Sequence, residues 1–307
     1  MNQTTASVLM VRPASFSYNE QTAESNTFQS NQQIEKDQLL KMVRQEFDAS
    51  VSKLESFGVE VMVIEDDPEA NNPDAVFPNN WISMHSDGKV ILYPMCTPNR
   101  RTERRMDIIE QLRKTHSIKE VTDFSVYEKV NRFLEGTGSI IFDHKNKFAY
   151  ACLSPRTDKG LFINTCSFLK YTPVSFTAVD AGGVLVYHTN VLMCLGEKFV
   201  VICMEAIKDS EEKNMLKNLF EKHGQEIIDI SFAQMSSFAG NMLALKNAKG
   251  TSLLALSQSA FNSLSASQKE KLENYCKLIP LPITTIETIG GGSARCMIAE
   301  NFLPVIG

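Results

Sequence analysis

The sequence predicts an α/β fold, a closed radial array of five strand–hairpin–helix units. Three observations predict it: short apolar runs recur at a near-constant interval, a second strand-like run follows each, and the turn before that second run repeats its chemistry. The first runs are 59–64, 118–121, 174–179, 226–230 and 278–284. They start at residues 59, 118, 174, 226 and 278, giving steps of 59, 56, 52 and 52. Units of this size read as a closed radial array rather than two domains. Residues 1–307 are therefore expected to form a single domain.

The elements follow in order. An N-terminal strand at 8–11 leads, after a polar segment at 16–31, to an amphipathic helix at 33–57. That polar segment is long for a structureless loop and is expected to act as a lid. Second strands are expected at 81–84, 139–142, 191–195, 242–245 and 295–298. In the first four units a third strand follows, at 89–93, 147–153, 198–204 and 251–256. Polar turns such as Ser86-Asp87-Gly88 and His144-Lys145-Asn146 join the pairs as hairpins. Helical patterns then cover 101–114, 157–169, 211–223 and 267–277, the last with Ser265 or Ser267 as N-cap. The fifth unit is completed across the termini.

Composition sets outer limits. The 307 residues are 43% hydrophobic and 22% charged, a soluble globular profile. A net charge of −5 argues against nucleic acid or an anionic membrane as partner. No apolar stretch has the length of a membrane span, and the polar start has no export-signal pattern. The cytoplasm is the expected compartment. Seven cysteines are scattered without a C-x-x-C pair or a Cys/His cluster, so no metal site is expected.

The turns before the second strands carry the chemistry. They read Phe77-Pro-Asn-Asn80, Leu134-Glu-Gly-Thr-Gly138, Tyr187-His-Thr-Asn190, Phe238-Ala-Gly-Asn241 and Gly290-Gly-Gly-Ser-Ala-Arg-Cys296. Around a pseudo-fivefold axis these turns face one mouth. Glu135, His188 and Cys296 then converge and supply a carboxylate, an imidazole and a thiol nucleophile. A single cysteine is by default a buried small hydrophobe, but Cys296 follows a triple-glycine turn that permits close backbone approach. His85, His116, His144 and His223 lie in polar turn or surface-helix contexts and are expected to be solvated. His188 alone holds a mouth-facing position.

These motifs, with Asn72-Pro-Asp-Ala-Val76 before the first and Met10-Val-Arg-Pro-Ala-Ser-Phe16 at the start, resemble the amidinotransferase (pentein) superfamily. The resemblance covers nearly the whole chain. It is nearest to the arginine deiminase-related citrulline hydrolases and extends to dimethylarginine dimethylaminohydrolase. It implies a five-bladed α/β propeller, no cofactor and a Cys–His–Glu site. In that site Glu135 orients His188, the general acid/base. It also implies that Asp74 meets the substrate's polar group, that Phe77 and Asn80 belong to the binding motif, and that Arg100 or Arg101, with Arg156, clamps an amino-acid carboxylate. Backbone N–H groups of 291–293 are candidate donors to developing charge.

The superfamily's arginine-directed enzymes flank the guanidinium with two carboxylates. Here Asn80 and Asn190 stand at those places. An amide both donates and accepts, which suits a neutral ureido group. The expected activity is hydrolysis of citrulline to ornithine, ammonia and carbon dioxide through a covalent Cys296 adduct. Arginine deiminase, dimethylarginine dimethylaminohydrolase and amidinotransferase chemistry are the alternatives. A papain-like thiol hydrolase has little support, since it predicts neither five repeats nor a C-terminal nucleophile. A non-catalytic propeller would lack the three groups. The expected partner is a small-molecule amino acid, and a homodimer is one option for assembly.

Overall fold

The computed structural model describes residues 2–23, 26 and 28–306. Its strands are β1 (Ser7–Arg12), β2 (Glu60–Glu65), β3 (Ile82–Met84), β4 (Lys89–Leu92), β5 (Glu120–Asp123), β6 (Ile141–Asp143), β7 (Phe148–Cys152) and β8 (Thr172–Phe176). They continue with β9 (Met193–Leu195), β10 (Phe199–Ile202), β11 (Glu226–Asp229), β12 (Leu243–Lys246), β13 (Ser252–Ser257), β14 (Lys277–Leu281) and β15 (Ala299–Asn301).

One three-stranded pattern recurs: an antiparallel pair, then a strand parallel to its second member. It is seen in β15-β1-β2, β3-β4-β5, β6-β7-β8, β9-β10-β11 and β12-β13-β14. The first two groups share one six-stranded sheet, joined by Asn301 opposite Met84 in β15 and β3. The other three are separate sheets. The sequence grouping was therefore out of step by one strand. Run 59–64 belongs with β1, the strand before the intervening helix, rather than with the hairpin after it. A helical crossover returns the chain parallel to the strand it left, and spacing alone does not reveal that partner.

Helices bury one stripe each against these sheets. The helix Lys36–Ser56 is opened by the Glu35 carboxylate, which accepts from the N–H groups of Asp37 and Gln38. It turns Leu39, Val43, Phe47 and Leu54 into the core beside Val8, Met10 and Ile286. Each such side chain contributes about 1.5–3 kcal/mol by leaving water. Asp158, Asp209 and Ser265 cap the helices Lys159–Leu169, Ser210–Lys222 and Ala266–Glu273.

Three further expectations change. The helix expected over 101–114 is a 3-10 segment Pro98–Glu103 followed by a helix Met106–Arg113. It breaks where Arg104 reaches Glu128 and Arg105 reaches the Glu65 carbonyl. Residues 295–298 form a turn, not a strand, because the Cys296 N–H donates to the Ser293 carbonyl at 2.9 Å and β15 begins only at Ala299. His85, His116 and His144 are buried rather than solvated, and His223 is half-buried. Among the described residues no helix is long and apolar enough to cross a membrane.

Candidate active site

A helical turn precedes the hairpin in three of the modules: Pro78–Asn80, Gly136–Ser139 and Thr189–Leu192. In the fourth the turn is tighter, with the Asn241 N–H donating to the Phe238 carbonyl at 2.8 Å and Phe238 left-handed at φ 61°. In the fifth, the helix Thr284–Gly290 ends at Gly291, left-handed at φ 64°. These turns converge on a pocket lined by Asp74, Phe77, Asn80, Arg100, Arg156, Tyr187, His188, 290–292 and Cys296, with Thr22 and Asn26 from the N-terminal segment.

The triple glycine has a steric cause. A Cβ on Gly290 or Gly292 would lie 2.8–2.9 Å from the Phe77 ring, so the ring packs flush against bare backbone. That contact brings Cys296 to the pocket floor, buried at 4% exposure. The Gly291 N–H donates to the Glu287 carbonyl at 2.9 Å, so it is committed to ending the helix and not to a substrate.

His188 and Glu135 meet as one unit. The ring Nε2 and Glu135 Oε2 are 2.7 Å apart. Glu135 also accepts the Cys96 N–H at 2.9 Å and lies 3.5 Å from Arg156 Nη1. Burial opposes its ionisation, yet the Arg156 guanidinium and the His188 bond outweigh that and hold the carboxyl well below its usual range. Burial pushes the His188 imidazolium down despite the Glu135 contact. It pushes the Cys296 thiol up, partly offset by a backbone hydrogen bond at Ser293 and the Asn241 and Asn190 amides. Both shifts favour the neutral form of each group, the thiol and the unprotonated imidazole.

Two asparagines touch the sulfur. Asn190 Nδ2 donates to Cys296 Sγ at 3.4 Å and Asn241 Nδ2 at 3.3 Å. On the opposite wall Arg100 forks onto Glu103 at 2.8 Å through Nε and Nη2, and its Nη1 donates to Asn80 Oδ1 at 2.8 Å. A guanidinium only donates, so this contact fixes the amide orientation and leaves Asn80 Nδ2 as a donor. Among the described residues, Asn80 Nδ2, Asn190 Oδ1 and Asp74 Oδ1 are buried without a partner. The other Asp74 oxygen accepts from Asn19 Nδ2 at 2.7 Å and lies 3.6 Å from Arg100, while burial raises its pKa.

Of the residues singled out from sequence, Cys296, His188, Glu135, Asp74, Phe77, Asn80, Asn190, Arg100 and Arg156 come together here. Arg101 does not: it turns outward to the Met95 carbonyl and Glu128. Sequence reasoning missed Asn241, although its turn is the fourth copy of the repeated loop. It also missed Tyr187, whose OH donates to the Gly291 carbonyl at 2.9 Å. The N-terminal segment borders the pocket through Thr22 and Asn26. Asn26 Nδ2 donates to the Gly291 carbonyl, Gln29 Nε2 to that of Gly290, and Arg156 Nη2 to that of Thr22. Glu24, Ser25 and Thr27 of that segment fall outside the described residues.

A family model for eukaryotic N,N dimethylarginine dimethylhydrolase matches residues 12–303. The chain belongs to this family. Among solved structures it is similar to ArgZ, an arginine dihydrolase from the ornithine-ammonia cycle in cyanobacteria, with a TM-score of 0.76 and 17% identity. That match covers 98% of this chain and 41% of ArgZ, so the chain spans about two fifths of that protein's length. The substrate-bound N-terminal domain of ArgZ, as a cysteine-to-serine variant, matches with TM-score 0.73 and 17% identity over 98% of this chain and 99% of the domain. A dimethylarginine dimethylaminohydrolase adduct with S-methyl-L-thiocitrulline matches with TM-score 0.64 and 15% identity, covering 97% and 99%. No curated protein sequence matches the chain. Family and fold identify a pentein-superfamily hydrolase that acts on C–N bonds.

Proposed function

We propose that the chain hydrolyses the ureido group of citrulline, with Cys296 as nucleophile, His188 as general acid/base and Glu135 as its orienter. One observation carries the choice of a ureido group: the Asn80 amide, held through its oxygen by Arg100, offers a buried N–H with no acceptor. A ureido group brings a carbonyl oxygen to that donor and N–H groups to Asp74 Oδ1 and Asn190 Oδ1. A guanidinium brings N–H donors only, leaving Asn80 Nδ2 unsatisfied at a cost of about 1–3 kcal/mol. Arg156, at the pocket wall, suits the amino-acid carboxylate, whereas Arg100, expected to share that task, is engaged by Glu103, Asn80 and the Phe77 carbonyl.

The chemistry uses the proton already present. The Cys296 thiol passes it to His188, and the Glu135 carboxylate stabilises the resulting imidazolium. The thiolate attacks the ureido carbon. Collapse breaks the bond to the side-chain nitrogen, which leaves as the ornithine amine after protonation by His188. Water deprotonated by His188 then attacks the S-carbamoyl carbon and releases Cys296 and carbamate, which decays to ammonia and carbon dioxide. At low pH the thiol–imidazole pair has one proton too many, and at high pH it has none for the leaving amine. A plateau bounded by the lowered His188 and raised Cys296 values is the expected kcat/KM profile.

A second reading, arginine as substrate, draws on Asp74. Its carboxylate has Arg100 at 3.6 Å as the nearest cation, while Arg100 is already paired with Glu103. The similar ArgZ is an arginine dihydrolase, and the family is that of N,N dimethylarginine dimethylhydrolase; arginine and dimethylarginine both carry a guanidino group. A product assay on citrulline, arginine, agmatine and methylated arginines, run on wild type and Cys296→Ala, separates the readings. Ornithine and ammonia from citrulline, abolished in the variant, support the proposal. Turnover of arginine with citrulline untouched rules out the ureido reading but keeps the nucleophile.

The same proposal takes residues 1–307 as one cytoplasmic catalytic domain whose five modules close as a propeller. The pairing of β15 with both β1 and β3, and the packing of β9 on β6 and β12, support closure. A radius of gyration near about 19 Å in solution scattering fits such a ring, and a clearly larger value excludes it.

A further inference from the structure

We infer that Asn241 is a positioning residue for the nucleophile: its side chain shares the Cys296 sulfur with Asn190 and fixes the backbone just before it. The inference rests on the reading of Cys296 as the reacting thiol. Asn241 is 1% exposed and uses both ends of its amide. Nδ2 donates to Cys296 Sγ at 3.3 Å and to the Asn190 carbonyl at 3.0 Å. Oδ1 accepts the Arg295 N–H at 3.1 Å, one residue before the nucleophile. A single side chain thus ties the third, fourth and fifth turns together at the sulfur.

The preceding residue explains how it gets there. A Cβ on Gly240 would lie 2.2 Å from the Val191 carbonyl oxygen and 2.7 Å from the Leu192 carbonyl carbon. Only bare backbone approaches the His188-bearing turn this closely. Asn241 is thereby carried across to Asn190 and Cys296.

The amide suits both states of the sulfur. The thiol lies 3.6 Å from Asn241 Oδ1, within reach for S–H donation. The thiolate receives the Nδ2–H of Asn241 and of Asn190. Deprotonation then requires no heavy-atom movement in this cradle, which is the preorganisation that favours a developing charge. Arg295 also acts on the thiol electrostatically, and His188, Asp74 and Tyr187 line the same pocket. Those groups are constant across the variants below.

The test follows the pH dependence of Cys296 alkylation by iodoacetamide, mapped by peptide mass spectrometry, in wild type, Asn241→Ala and Asn241→Asp. Loss of the amide donor in the Ala variant is expected to raise the midpoint by about one pH unit, on the order of tenfold less thiolate at neutral pH. The Asp variant keeps an acceptor for the Arg295 N–H but sets a carboxylate beside the sulfur, so a larger rise is expected. Gly240→Ala should move the profile in the same direction. In each, kcat falls while KM stays near wild type. An unchanged melting temperature in the Asp variant separates an effect on the sulfur from an effect on the fold, and that variant carries the test if the Ala protein does not fold. Superimposable alkylation profiles overturn the inference. Alkylation requires no substrate, so a wrong substrate leaves this result intact, whereas full turnover by Cys296→Ala removes the underlying reading instead.

Discussion

The same hairpins carry buried polar groups at both ends, and the two ends treat them differently. At the far end, His85 Nε2 lies 2.8 Å from Ser83 Oγ, which is 2.7 Å from the Tyr93 hydroxyl. His144 Nδ1 lies 2.7 Å from the Tyr171 hydroxyl, and His116 Nε2 lies 2.9 Å from Asn301 Nδ2. Phe142 and Phe302 pack against these rings. At the mouth, Asp74, Asn80 and Asn190 each keep a buried polar atom without a partner. Burial and polarity are common to both ends. The far end has unpartnered buried atoms of its own, His223 Nδ1 and Gln225 Oε1 beside Asp143; what distinguishes the mouth is that Asp74 and Asn80 line one pocket with Cys296.

Four substitutions or conditions sharpen this contrast. Glu135→Gln should have the largest effect, since it removes the charge that stabilises protonated His188. We expect kcat to fall on the order of 10³-fold with little change in unfolding midpoint, and retention of most activity would break the assignment. Next comes acid stability of the far end. Burial holds His85 down to about 4, so the unfolded chain takes up its proton first as pH falls below about 6.5. Stability from this group is complete above about pH 6.5 and is lost toward pH 4, roughly 3 kcal/mol in all. Urea unfolding should therefore show a shallower acid slope in His85→Gln, while its turnover at neutral pH matches wild type.

Asn80→Asp is expected to cost citrulline turnover about 10–100-fold, because a carboxylate cannot donate to the ureido oxygen. Kinetics on citrulline and arginine side by side would read it, and an equal loss on both would count against Asn80 as the discriminating group. The smallest effect is expected for Tyr171→Phe, which removes a hydroxyl from His144. A loss of about 1 kcal/mol in stability, with kcat unchanged, would mark that end as structural. A matching fall in kcat would mean the two ends are coupled.

Much of the site was legible before any coordinates because the five turns occupy one repeated position. Repetition singled out Glu135, His188 and Cys296 without a metric distance. The same repetition contained Asn241, but a lone amide in a turn has an ordinary structural reading until it is found 3.3 Å from the sulfur. Strand partners were not legible, since period reports spacing and not pairing. The histidines misled for a related reason. Polar neighbours such as Ser86 and Lys145 mark a turn, yet a turn at a hairpin end can still be covered, here by Phe302 over His144. Arg100 and Arg101 were indistinguishable in sequence, and the direction of one 3-10 turn separates the inward residue from the outward one.

The pairing of the first strand with the last has a consequence for how the enzyme comes into being. The Thr5 hydroxyl donates to the Asn301 carbonyl at 2.6 Å across 296 residues of chain, and Cys296 lies five positions before that anchor. Closing so long a loop carries an entropy cost that the local contacts within each module do not. On the proposed assignment, the nucleophile reaches its site only when this junction is made. On that assignment, a chain that has made four modules but not this junction has the histidine and the glutamate without the thiol, so catalytic competence requires the completed fold.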